Sequence, residues 1–126
     1  MTESISTPHA LVQTTNGKRF YVNSGVVSVD NTETSVVNIA NIGERDIKLK
    51  INPILASLGS DDMTLKVKNN GVIIYKAKYE YQNSLYLNTP IHFIIPANTS
   101  LDITFQNVDA TSHDVGVSCY GRYLSM

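Results

Sequence analysis

From about residue 19 onward, apolar and polar residues alternate in short runs rich in Val, Ile, Tyr and Thr, and clusters of Gly, Asn, Asp or Pro separate the runs. A period of two places successive side chains on opposite faces of a strand. In DIKLKIN, residues 46–52, Ile47, Leu49 and Ile51 point one way and Lys48 and Lys50 the other. In SLDITFQNV, residues 100–108, Leu101, Ile103 and Phe105 oppose Asp102, Thr104 and Gln106. The same pattern predicts strands over MTLKVKN (63–69), GVIIYKAKYEY (71–81), IHFIIP (91–96) and DVGVSCYGRYL (114–124), with two or three more from RFYVNSGVVSV and TSVVNIANI. Roughly eight to nine strands result, each with one dry and one wet face, which is the signature of antiparallel sheets packed face to face. The predicted fold is therefore an all-β antiparallel β-sandwich with no substantial helix. Its predicted core contains Ile47, Leu49, Ile51, Leu65, Val67, Ile103, Phe105, Val115 and Val117. The near-continuous apolar runs GVIIY and FIIP read as central strands covered on both faces.

The punctuation agrees with this pattern. Asn70-Gly71 between two alternating runs predicts a tight type I′ hairpin, because both central residues of that turn need positive φ. Asn16-Gly17 offers a similar turn near the start. The segment NPILASLGSDD, residues 52–62, opens with Pro53 and predicts one short helical turn. In IIPANTSLDITFQNVD, residues 94–109, Pro96 lacks a backbone donor and has a fixed φ, which suits a corner at the start of a strand. Residues 1–18 are polar and rich in Thr and Ser, and read as an N-terminal arm ahead of a single domain over 19–126.

Composition narrows the partners. The formal net charge is −1 and charged residues make up 17% of the chain, so no overall basic excess is available for phosphates. Nucleic acid and membrane surfaces are not expected partners. Asn, Ser and Thr supply 35 of 126 residues, so much of the surface is neutral and hydrogen-bonding, as in a β-protein whose faces are covered by neighbours. The N-terminal stretch has no apolar core of signal-peptide length, and Asn98-Thr99-Ser100 reads as a turn rather than a glycosylation site.

Candidate chemistry is sparse. Cys119 is the only cysteine and alternates with Val115 and Val117, which makes it a buried hydrophobe. His9, His92 and His113 are scattered, with His92 facing solvent, and Asp61, Asp62 and Asp109 are ordinary turn acids. With no nucleophile elbow, phosphate loop, dinucleotide fingerprint or zinc-protease motif, the chain reads as a non-enzyme needing no metal or cofactor. One surface stands out: Tyr75, Tyr79 and Tyr81 share a face of their strand and Tyr86 follows soon after. Such rings suit either a protein- or sugar-binding platform or one end of the core with hydroxyls reaching water.

The corner Ile95-Pro96-Ala97-Asn98-Thr99-Ser100-Leu101, the strand through Asn107, and the final Gly121-Arg122-Tyr123 resemble small jelly-roll proteins that decorate or cement the capsids of tailed phages and related viruses. The run TSVVNIANIGERDIKLKI is similar to the first half of that pattern, so the likeness covers roughly residues 25–124. The resemblance implies that the sandwich is of jelly-roll type, and it implies a virion structural protein, assembled in the host cytoplasm, that binds the major capsid protein or other virion proteins and acts as a homotrimer. It equally admits a receptor-binding or carbohydrate-binding head of a spike or fibre. The polar arm is then expected to be ordered by a neighbouring subunit or by the shell.

Overall fold

A computed structural model describes the backbone of residues 4–5, 11–15, 19–55, 62–79 and 90–124, and the side chains of the last three segments. The described residues form eleven strands: β1 (Ser4–Ile5), β2 (Leu11–Thr15), β3 (Arg19–Asn23), β4 (Val27–Val29), β5 (Thr34–Asn41), β6 (Ile47–Leu55), β7 (Met63–Asn69), β8 (Val72–Tyr79), β9 (Ile91–Ile95), β10 (Leu101–Asn107) and β11 (His113–Tyr123). They pair antiparallel in two sheets, one ordered β1-β5-β10-β7-β8 and the other β2-β3-β11-β6-β9, with β4 also on β11. If β3 and β4 are counted as one interrupted strand and β1 and β2 are set aside, the eight remaining strands run 1-8-3-6 in one sheet and 2-7-4-5 in the other. That is the strand order of a jelly roll.

The inward faces follow the alternation. All nine residues of the expected core are at most 1% exposed, and Phe20, Val22, Ile39, Met63, Leu101 and Cys119 join them. Lys48, His92, Lys76 and Lys78 face outward.

Breaks in the ladders have visible causes. Between β3 and β4, Ser24, Gly25 and Val26 span the stretch that Gly116 and Val117 occupy on β11, so one extra residue bulges out. Gly25 takes φ 69°, while the buried Ser24 hydroxyl accepts from the Val117 amide at 2.9 Å and donates to the Gly25 carbonyl at 2.7 Å. A Cβ on Gly116 would lie 2.2 Å from that carbonyl, so only glycine fits there. At Asn70-Gly71 both residues have positive φ, 51° and 78°, and the two-residue I′ hairpin between β7 and β8 forms as expected.

The Pro96 corner carries the chain from β9 in one sheet to β10 in the other and gathers three loops at one end of the sandwich. Asn98 sits at φ 60°, and its amide donates to the Gly43 carbonyl at 2.7 Å. Asp46 accepts from the Ala97 amide at 2.7 Å, and the Asn69 amide group donates to the Thr99 hydroxyl at 2.8 Å. The Ser100 amide donates to the Asn70 side chain at 2.9 Å, so the corner is fastened to the hairpin tip as well.

Two sequence expectations need correction. Pro53, Ile54 and Leu55 continue β6 instead of opening a helical turn; residues 56–61 of that segment lie outside the described residues. Pro53 stands opposite Val117, whose amide and carbonyl both bond to Ser24 on the far side. Pro53 therefore needs no bond towards β11, and β9 already ends opposite Ile51, so its missing donor breaks no ladder. Second, the apolar runs of β8 and β9 lie at sheet edges, with Val72 and Ile94 each 64% exposed, not in covered central positions. Within the N-terminal segment, Ser4–Ile5 pairs with β5 and Leu11–Thr15 with β3. The Asn16-Gly17 turn lies outside the described residues.

Candidate functional site

The tyrosine face turns inward as far as it is described. Tyr79 is 3% exposed, Tyr75 and Ala77 are half-buried, and Tyr75 meets Phe93 of β9 edge to face at 5.7 Å. This contact joins the free edges of the two sheets. Burial, with a smaller contribution from nearby Tyr75, pushes the Tyr79 phenol up to about 12. Beside these rings a recess of about 410 Å³ opens between β8 and β9, floored by Ala77, Pro90 and Ile91. Tyr81 and Tyr86 lie outside the described residues. Past the rings, β8 exposes Val72, Ile73 and Ile74, so the half of this edge next to the hairpin is aliphatic, while Lys76 and Lys78 are exposed in its other half. Ile94 of β9 is exposed opposite Lys48, on the outer face of its own sheet.

A second surface, absent from the sequence expectations, lies on the outer face of the β2-β3-β11-β6-β9 sheet. The ladder registers place Arg19 opposite Arg122 and Arg122 opposite Lys48, three cations abreast on β3, β11 and β6. Two residues along, Tyr21 faces Tyr120, Tyr120 faces Lys50, and Lys50 faces His92. Between these rows the backbone of Phe20, Gly121 and Leu49 floors a groove of about 600 Å³. Lys50 lies over the Tyr120 ring, 5.2 Å from its centroid, and hydrogen bonds from Lys50 first and Asn52 second lower the Tyr120 phenol below its ordinary value. Each of these residues was legible as the polar side of a strand. Their assembly was not, because the pairings join positions near opposite ends of the sequence.

Three cations of the other sheet, Lys66, Lys68 and Lys78, are engaged in ion pairs. Lys68 meets Glu33 at 2.6 Å and Lys66 meets it at 3.5 Å, while the Thr104 hydroxyl donates to the same carboxylate at 2.9 Å. The Lys68 hydrogen bond first, and that of Thr104 second, hold the Glu33 carboxyl down at about 2. Cys119 is fully buried, and burial pushes its thiol up to about 12, which leaves no thiolate for chemistry near neutral pH. Among the described residues no group of three or more His, Cys, Asp or Glu is arranged to hold a metal.

No protein-family model matches the chain, and a search of curated proteins finds no match.

Proposed function

We propose that the chain is a virion structural protein of the decoration or cement type, which binds the major capsid protein of a shell as a homotrimer and stiffens it through protein–protein contacts. The observation that carries this reading is the aliphatic edge. Val72, Ile73 and Ile74 stand exposed on β8, which pairs only with β7 among the described residues. An open edge strand with apolar side chains is a template for another chain, and proteins that function alone blunt such edges with charge or cover them; here Lys76 and Lys78 charge one half of β8 and leave the Val72–Ile74 half apolar. A rigid jelly roll with loops fastened at one end by the Pro96 corner suits a part whose use is shape. The resemblance of that corner and of Gly121-Arg122-Tyr123 to capsid-decorating proteins points the same way.

Electron microscopy of purified particles is the direct test. The chain is expected in regular array on the shell, and Ile73→Lys is expected to detach it while leaving a folded trimer or monomer in solution. Particles that never carry the chain, or that bind Ile73→Lys as tightly as the parent, overturn the reading.

A further inference from the structure

We propose that the groove on the outer face of the β2-β3-β11-β6-β9 sheet binds an acidic polysaccharide, with its carboxylate or sulfate groups on the row Arg19-Arg122-Lys48 and its sugar rings against Tyr21 and Tyr120. The inference does not depend on capsid attachment.

Its basis is the register. Like charges directly opposite one another on neighbouring strands destabilise a sheet, yet here three cations stand side by side on three successive strands. No ion pair among the described residues relieves them: the described salt bridges engage Lys66, Lys68 and Lys78, all on the other sheet. No Asp or Glu occurs in β2, β3, β6 or β9, and the one in β11, Asp114, is at the opposite end of that strand. Asp46 lies two residues before Lys48 but just outside β6, and among the described residues no acid makes an ion pair with these three cations, so a chain of net charge −1 gathers them on one face. An anion laid along the row relieves the repulsion that the fold itself leaves in place, and the two guanidinium groups can each take an oxyanion in bidentate fashion.

The second row selects the kind of anion. Tyr120, 42% exposed and with Lys50 over its ring, and half-buried Tyr21, whose hydroxyl accepts from Asn23, stand side by side, and their exposed apolar and polar surface suits the mixed surface of a sugar. Lys50 and His92 extend that row at its far end. Neighbouring strands are about 4.8 Å apart, so the three cations span only about 10 Å. That length suits a few sugar residues of a chain bearing one acid group per residue or two. It is short for a nucleic-acid surface, which gains affinity by neutralising many phosphates along an extended basic face.

The test uses the full chain on immobilised heparin and, separately, on immobilised polygalacturonate, at about 0.15 M salt. Retention on either supports the proposal. Retention on both assigns the row to carboxylates, and retention on heparin alone assigns it to sulfates. Arg122→Gln and Lys48→Gln are each expected to weaken binding roughly tenfold and to flatten its salt dependence, since each removes one charge-assisted contact at an exposed position. Tyr120→Ala is expected to weaken binding without changing the salt dependence, and Lys76→Gln on the other sheet to change nothing. Should Arg122→Gln fail to fold by circular dichroism, Lys48→Gln carries the comparison. No retention on either polymer, equal retention of Arg122→Gln, Lys48→Gln and Lys76→Gln, or tighter binding of a single-stranded oligonucleotide than of heparin overturns the proposal.

Discussion

Phe105 lies mid-way along β10 with no exposed surface, opposite Thr34 of β5 on one side and Leu65 of β7 on the other. Removing the ring leaves a cavity that the two flanking strands cannot close, so Phe105→Ala is expected to lose about 3 to 5 kcal/mol in urea unfolding. Gly116 tests the opposite limit. Gly116→Ala forces a Cβ into the Gly25 carbonyl, a backbone atom with no rotamer to yield, and is expected to lose about 1 to 3 kcal/mol or more. Glu33 ties the loop before β5 to β7 and β10 and makes stability depend on pH. Its folded carboxyl is held at about 2, below the ordinary value of 4.5. The resulting stabilisation is fully present above pH 4.5 and is lost as pH falls towards 2. Because Glu33 is partly solvated, the effect is small, about 1 kcal/mol or less. Glu33→Gln is expected to remove that share of the acid slope in denaturation measured across this window. Core identity was legible at this scale because alternation alone separates Ile47 from Lys48. The Glu33 cluster was not, since nothing local to Glu33 announces Lys68 or Thr104.

The β7–β8 hairpin is the element whose sequence signal was strongest, and its turn isolates a backbone effect from packing. A Cβ added at Gly71 would meet nothing within 4 Å, so any loss on substitution comes from φ 78° alone. Gly71→Val is expected to lose about 1 to 2 kcal/mol, and Gly71→Asn clearly less, because Asn tolerates left-handed backbone. Equal thermal midpoints for the two variants would contradict the I′ geometry. Elements were misread where the same pattern has two physical causes. A continuous apolar run such as GVIIY fits a strand buried on both faces, but it equally fits an edge strand with exposed apolar side chains, and among the described residues β8 is the latter case. Pro53 signals a break only if its missing donor falls on a bonded side of the strand. Here it falls where β9 has already ended, so β6 runs on.

For the molecule as a whole, strand count and sheet packing were readable, whereas strand order was inferred from a resemblance and the cationic groove was invisible. Alternation reports which face of a strand is dry and says nothing about which strands lie side by side. The N-terminal strands give a test at this scale. The described core begins at Phe20, so deletion of residues 2–15 is expected to leave a folded jelly roll. It also strips the outer neighbours from β5 and β3, and the truncated chain is expected to self-associate in sedimentation experiments more than the parent does. The place of β11 between β3 and β6 has a consequence in time. Ser24 and Val117, which exchange bonds at the bulge, are 93 residues apart, and the pairing of β11 with β6, Val115 opposite Leu55, is long-range as well. The hairpin at Asn70-Gly71 can zip within microseconds, but β3 and β6 acquire their shared neighbour only after a long loop has closed against its entropy. Refolding from denaturant should therefore lie in the millisecond-to-second range typical of non-local β topologies, and the rate should fall when β11 pairing is weakened, as in Gly116→Ala, only if that pairing is already made at the barrier.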